Sequence, residues 1–394
     1  MNALPREGQA LLERIQALLP ALAAQAPESE RLRRPTDVSI RMLEDSGLFR
    51  MMVPRVYGGL ELDLDTFLEV GLALGEADMS LAWVASFCVE HNWMLCQFPE
   101  RFQRELYTGK SHILAPGVIT PTGVAAREEE GFRLTGRWQW GTGVMHASWV
   151  IVGALADLEP GQSPSPAHMR FFALPIEDVK VEDTWYVDGM VGTGSNDIVI
   201  DGALVPEDRS VSISEMIEGR APGSRLHAGT LYHTPMLPIL MLASSMPVVG
   251  QTRAIVRGFR ERLKNHVRLS PTMTPQSEKP ALQMRLGKAA IEARQAELAL
   301  RDVADEVREL RDRASAEQRS RWIATGAYAV HQARQVLNDV SEGSGASAHF
   351  LQHALQRAVR DANVASCHIV FDFDTHREVY GKLLLGLDAP GAML

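Results

Sequence analysis

Cysteine is scarce: Cys88, Cys96 and Cys367 are the three in 394 residues. That rules out a disulfide framework for a chain of this size. None sits in a C-x-x-C pair or a His/Cys cluster of the kind that binds zinc, so they read as small apolar core residues and no metal is expected. Long apolar runs are missing too. The most apolar segment, Thr234 to Val249, is broken by Pro235, Pro238 and Pro247, short of the roughly 20 uninterrupted residues a membrane span needs. There is no basic excess: 40 Lys and Arg face 49 Asp and Glu, a net charge of −9, which argues against a non-specific nucleic-acid binder. The first residues form a charged amphipathic segment and not a signal peptide, so a cytoplasmic location is expected. No internal repeat or low-complexity tract is present. What remains is an ordinary globular composition, 45% hydrophobic and 23% charged, long enough for two or three structural units.

Hydrophobic periodicity divides the chain into three. Residues 1–127 read as helices: Leu11, Leu12, Ile15, Leu18 and Leu19 recur at helical spacing. Pro35 to Leu48 and Leu64 to Glu76 continue the pattern. Asp78-Met79-Ser80 has the form of a helix start, leading into a helix on which Trp83, Phe87, His91 and Leu95, four apart, share one face. Residues 128–225 change period. Phe132, Leu134, Trp138 and Trp140 alternate, and short β-branched runs broken by Gly, Pro and Asp predict an antiparallel barrel or sandwich. Leu158 to Pro166 reads as a surface connection. Residues 226–394 return to helix. Leu282, Leu286, Ala289, Ala293, Ala296, Leu300, Val303, Val307 and Leu310 make a heptad-like seam suited to a bundle, preceded by a mobile loop from Lys264 to Pro280.

Four stretches carry candidate chemistry. In Trp138-Gln139-Trp140-Gly141-Thr142-Gly143, an aromatic strand end sits beside backbone amides and a hydroxyl, and the glycines admit close approach of a planar ligand. A Trp-rich strand end closed by a tight turn accounts for the same residues. Trp185 to Asp197, with Gly189, Gly192, Gly194, Ser195 and Asn196, is either a polar ligand site or two ordinary turns. Gly343-x-Gly345-x-x-Ala348 matches a relaxed dinucleotide fingerprint, but Tyr328 to Val340 before it reads as helix where the fingerprint needs a strand. A phosphate at a helix start remains open. Finally, Arg357 and Asp361 are spaced to pair on a helix, with His368 two turns beyond on the same side.

In this order and layout the chain resembles the acyl-CoA dehydrogenase superfamily, most closely its flavin-dependent monooxygenase branch of two-component hydroxylases. The resemblance rests on Val53-Pro54-x-x-Tyr57-Gly58-Gly59, Trp138 to Trp149, Asp188-Gly189-Met190-x-Gly192-Thr193-Gly194-Ser195, and Gln356-Arg357-x-x-Arg360-Asp361 with His368. It spans residues from about 50 to 381. It implies a helical N-terminal domain, a central β-domain, a C-terminal four-helix bundle and a homotetramer. FMN or FAD would lie with its ring against Trp140 to Gly143, near Ser195, and with Gly343 and Gly345 of another subunit toward its phosphate or adenosine end. Where a dehydrogenase places a catalytic carboxylate, this chain reads Ala365-Ser366-Cys367-His368-Ile369-Val370, and the monooxygenase branch places a histidine. Thr142 stands where that branch commonly has serine.

The resemblance therefore implies aromatic hydroxylation by reduced flavin and O₂ through a C4a-hydroperoxyflavin. Thr142 would orient the flavin, His368 would accept a phenolic proton, and His91 would be a second pocket histidine. Trp93, Met190, Tyr232 and His233 are candidates for the walls of the substrate pocket. No nicotinamide site is visible, so a separate NAD(P)H:flavin reductase is expected. Two alternatives stand: a thioester dehydrogenase using Asp372 or Asp374, and a catalytically silent flavin-binding relative.

Overall fold

The computed structural model describes residues 4–158, 162–265 and 275–389. Parts of the connections expected at 158–166 and 264–280 lie outside them. Five helices come first: α1 (Arg6–Leu32), α2 (Asp37–Ser46), α3 (Leu64–Ala77), α4 (Met79–Leu95) and α5 (Glu100–Leu106). The Asp78 carboxylate accepts the Leu81 amide at 2.8 Å, so the expected start of α4 is a true N-cap. All seventeen residues of α4 are buried, the condition of a helix surrounded on every side. Its Trp83, Phe87 and His91 rings follow one another at centroid spacings of 5.1 and 5.4 Å.

Seven strands follow: β1 (Gly117–Glu128), β2 (Gly131–Gly141), β3 (Trp149–Ala156), β4 (Met169–Pro175), β5 (Lys180–Glu182), β6 (Asn196–Pro206) and β7 (Ser210–Ser212). They form one sheet in the order β5-β6-β2-β1-β3-β4-β7. The expected all-antiparallel arrangement is corrected at one place, because β1 and β3 run parallel. β2 returns antiparallel to β1, the short turn after Gly141 reverses the chain again, and β3 then lies on the free side of β1 in the same direction. The sheet opens at Gly117, inside the stretch read as helical, because Val118 to Thr122 lacks clean alternation; a register shift falls there.

After α6 (Ile213–Ile217) come α7 (Met236–Asn265), α8 (Pro280–Leu310), α9 (Ala316–Ser344), α10 (Ala354–Ala365) and α11 (Phe373–Leu384). α7 to α10 form the helical bundle and α11 flanks α9. Ala289, Ala293, Ala296, Leu300, Val303 and Val307 of the predicted seam are buried. α7 is long and apolar enough to cross a membrane, yet 78% of its apolar window is buried inside the protein; it is a core helix packed on α3, α4, α8 and α9. One hydrophobic core runs through α1, α3, α4, α7, α8 and α9, so the helices before and after the sheet consolidate together.

α3 and α7 approach closely through glycines. A Cβ on Gly250 would lie 2.3 Å from the Leu72 carbonyl oxygen, and one on Gly75 2.7 Å from that of Pro247. Gly250→Ala gains helix propensity of about 1 kcal/mol but must push two backbones apart. The expected net is a loss of about 1–3 kcal/mol, read as a lower denaturant midpoint at unchanged slope.

Candidate active site

The turn after β2 is held by a directed chain of hydroxyls. Thr193 donates its hydroxyl hydrogen to the Met190 carbonyl at 2.9 Å. Ser195 Oγ lies 2.8 Å from Thr193 Oγ1, and Thr142 Oγ1 lies 3.1 Å from Ser195 Oγ. A carbonyl cannot donate, so Thr193 has spent its hydrogen; Ser195 must donate to Thr193, and Thr142 to Ser195. Thr142 is left with lone pairs only. The Gly143 amide donates to the Thr193 carbonyl at 3.1 Å, tying the two turns together. Gly143 has φ 75°, and a Cβ there would lie 2.9 Å from Val84 of α4. Trp140 is 64% exposed and holds φ 67°, an uncommon conformation for a bulky residue and one found at ligand sites. An exposed aromatic face, main chain free of side chains and an accepting hydroxyl suit a planar heterocycle bearing N–H groups.

Met190 is the anchor. Its backbone is left-handed, with φ 54°; its carbonyl also accepts Trp185 Nε1 at 3.0 Å, and its amide donates to Asp361 Oδ1 at 2.5 Å. Asp361, on α10, is buried, and burial together with the neighbouring Asp78 carboxylate pushes its pKa up to about 7. The expected pairing of Arg357 with Asp361 is corrected: Arg357 lies 3.6 Å from Asp78, and Asp361 serves the main chain of the β-region. Arg360 donates to the Asp188 carbonyl at 2.7 Å and pairs with Glu30 of α1 at 2.5 Å. The Arg-Asp motif thus locks the bundle onto the loop that positions Thr142.

His368 is not on α10, as its spacing had implied. The helix ends at Ala365, and His368 caps the short 3-10 turn Ile369–Phe371. Its ring packs on Trp83 at 5.5 Å and on Phe87 at 6.1 Å. Phe87 also contacts His91 at 5.4 Å, so the aromatic stripe of α4 carries both imidazoles. His368 is half-buried as a residue, but Trp83, Phe87 and Phe371 surround its ring. Burial pushes both histidines down to about 4, leaving both neutral near pH 7. Their tautomers are opposite. His91 Nδ1 lies 2.7 Å from the Ala115 carbonyl and must carry the proton, which leaves a lone pair on Nε2. His368 Nδ1 accepts the Val370 amide at 3.3 Å, so its proton is on Nε2.

Residues 242–373 match the family described as acyl-CoA dehydrogenase, C-terminal domain. Over its length the chain is 36% identical to a pigment production hydroxylase from a Rhodococcus species, covering 98% of each. It is 30% identical to the flavin-dependent monooxygenase oxygenase subunit HsaA of Rhodococcus jostii, covering 97% of this chain and 100% of that one. The chain belongs to the flavin-dependent monooxygenase branch of the acyl-CoA dehydrogenase superfamily. Among solved structures, XiaF from a Streptomyces species, in complex with FADH₂ and glycerol, superposes with a TM-score of 0.90 at 26% identity, covering 98% of both chains.

Against the branch's expected site, Trp140, Gly141, Thr142, Gly143 and Ser195 come together, as do His91 and His368. Trp93 and Tyr232 lie in the large hydrophobic core. Both are buried core residues whose polar groups are spent on the Leu231 and Met52 carbonyls, and Tyr232 packs on His227. His233 is half-buried at the end of a 3-10 turn. Met190 acts through its backbone; its sulfur lies 3.9 Å from Ser80 Oγ. Gly343 and Gly345 end α9 beside the small core of α7, α8, α9 and α10, where Arg262 donates to the Ser344 carbonyl and, at 3.0 Å, to Ser347. Asp372 and Asp374, the dehydrogenase alternative's candidate bases, are exposed; Asp372 caps α11 through Thr375 and Asp374 pairs with Arg377.

Two contributors show little of their role in the sequence. Asp361 has the spacing to pair with Arg357 but holds a main-chain amide instead. Gly117 had no signal, yet a Cβ there would lie 2.7 Å from His91 Nε2, so only glycine leaves that nitrogen room. Asp361→Ala is expected to destabilise the fold by about 1–3 kcal/mol by orphaning the Met190 amide, and to weaken reduced-flavin affinity measured anaerobically. Asp361→Asn keeps an acceptor and should retain most of both.

Proposed function

We propose that the chain is the oxygenase component of a two-component system, hydroxylating a small aromatic substrate with O₂ and reduced FMN or FAD. The observation that carries this reading is the pair of neutral imidazoles of opposite tautomer on one buried aromatic stripe of α4, the helix whose Val84 the Gly143 turn approaches. Trp140, Gly141, Thr142, Gly143 and Ser195 would hold the flavin ring. Reduced flavin carries an N5–H that oxidised flavin lacks, and a Thr142 oxygen with lone pairs only is suited to it. When bound, the reduced flavin supplies the electrons and the site of O₂ activation.

The chain's own residues do the rest. The His91 Nε2 lone pair accepts the hydrogen of a ring hydroxyl, which raises electron density on the aromatic ring. His368, expected as the base, acts instead as a donor through Nε2–H toward the oxygen being transferred. Trp83 and Phe87 bind the ring's faces and exclude water, which protects a reactive oxygen species from wasteful loss. The word "oxygenase" in the HsaA relative's name supports a separate flavin reductase, here one using NAD(P)H. Met284, Ile291 and Leu298, seven apart and exposed on α8, with Phe350 and Leu351 exposed beyond Gly345, support a homotetramer in which the Gly343–Gly345 turn serves a neighbour's flavin. A cytoplasmic site of action fits three free thiols.

The test supplies chemically reduced flavin and counts hydroxylated product against hydrogen peroxide per O₂ consumed. His91→Ala is expected to lower hydroxylation about 10²–10⁴-fold and divert O₂ to peroxide, with flavin affinity kept. His368→Ala should also uncouple the reaction. Because burial lowers both histidines, they stay neutral through the neutral range, and coupling should fall only as acid protonates His91 near pH 4. Unchanged coupling in both variants would refute the assigned roles.

A further inference from the structure

The buried polar side chains of α4 and its capping residues divide sharply. Asp78 caps the helix, and Asn92 bonds the Cys88 and Ile113 carbonyls and the Ile113 amide at 2.7–2.9 Å. Ser86 Oγ and both oxygens of Glu90, by contrast, are buried without a hydrogen-bond partner. Ser86 and Glu90 are four apart and so occupy one side of the helix. Such groups cost about 1–3 kcal/mol each when left unpaired. Ser86 has an obvious way to avoid this. On α7, Ser244, Ser245 and Thr252 each turn the hydroxyl back onto the carbonyl four residues earlier, and Ser86 does not.

Glu90 borders the proposed site directly. Its Oε2 lies 3.3 Å from His91 Nε2 without hydrogen-bond alignment, and the His91 ring contacts Phe87, on which His368 also packs. Resting on the function proposed above, we propose that Ser86 and Glu90 form a second polar subsite that selects uncharged aromatic substrates bearing two oxygen substituents. One oxygen is read at His91 Nε2 and the other at Ser86–Glu90.

The charge of the partner follows from the surroundings. α4 carries no Lys or Arg, so a substrate carboxylate there would be buried with no counter-ion on that helix, at high cost. Burial holds the Glu90 carboxyl up to about 8, protonated at neutral pH, and so able both to donate and to accept. Ser86 can do the same. A hydroxyl or ketone oxygen satisfies this pair. A ring lacking the second oxygen leaves both groups unpaired, which is how buried polar sites reject analogues.

The test is anaerobic binding to the reduced-flavin-loaded protein, read by quenching of tryptophan fluorescence. The ligands are phenol, 1,3-dihydroxybenzene and 3-hydroxybenzoate. The dihydroxy compound is expected to bind roughly tenfold more tightly than phenol, as one recovered hydrogen bond allows, and the carboxylate most weakly. Glu90→Leu should bring the dihydroxy-to-phenol ratio close to one. Glu90→Gln, which still donates and accepts, should retain the preference, and Ser86→Ala should reduce it in part; this last variant serves if Glu90→Leu does not fold. Tightest binding by the carboxylate, or a ratio unchanged in Glu90→Leu and Ser86→Ala, would overturn the subsite. Failure to form product from any of these rings, with the binding order intact, would count against the proposed reaction and leave the subsite standing.

Discussion

The hydrogen bond from the Met190 amide to the buried carboxyl of Asp361 is the constraint on which the rest of the site depends. It reaches from the last third of the chain to the β-region and fixes a left-handed residue. The Met190 carbonyl, fixed by the same residue, starts the hydroxyl chain through Thr193 and Ser195 to Thr142. Arg360 clamps the same junction to α1 through Glu30. A site assembled this way needs all three regions folded at once, and the continuous core through α1, α3, α4, α7, α8 and α9 provides for that.

Desolvation is the second theme. α4 is buried along its whole length, and every titratable group it brings to the site is held neutral: His91 and Glu90 by burial from opposite directions, with His368 likewise neutral on its aromatic face. Neutral groups with directed hydrogen bonds can sort a substrate by where it offers donors and acceptors. The opposite tautomers of His91 and His368 make one an acceptor and the other a donor at the same pH, without either being charged.

Much of this was legible in the residues. The change from period 3.6 to alternation and back marked the three regions, and Asp78-Met79-Ser80 signalled the start of α4 because capping is local chemistry. The four-residue spacing of Trp83, Phe87 and His91 placed them on one stripe for the same reason. Long-range facts were less readable. The parallel β1–β3 pair follows from chain reversal at a turn, which leaves no periodic trace. Asp361 was matched to Arg357 because helical spacing allowed it, whereas its partner is a main-chain amide 171 residues away in sequence. Trp93 and Tyr232 show the same limit: aromatic rings line pockets and cores alike, and the sequence does not reveal that their polar groups bond the Leu231 and Met52 carbonyls. Gly117 matters for an atom it lacks.

The most direct test of the account is isotopic. Reduced flavin, a dihydroxylated aromatic and ¹⁸O₂ are mixed with the protein, and the product is weighed by mass spectrometry. The account predicts a ring hydroxyl carrying one ¹⁸O atom per product molecule, with the label lost to peroxide in His91→Ala. Product oxygen drawn from water, or flavin reduced by an acyl-CoA thioester in place of oxygen transfer, would contradict it.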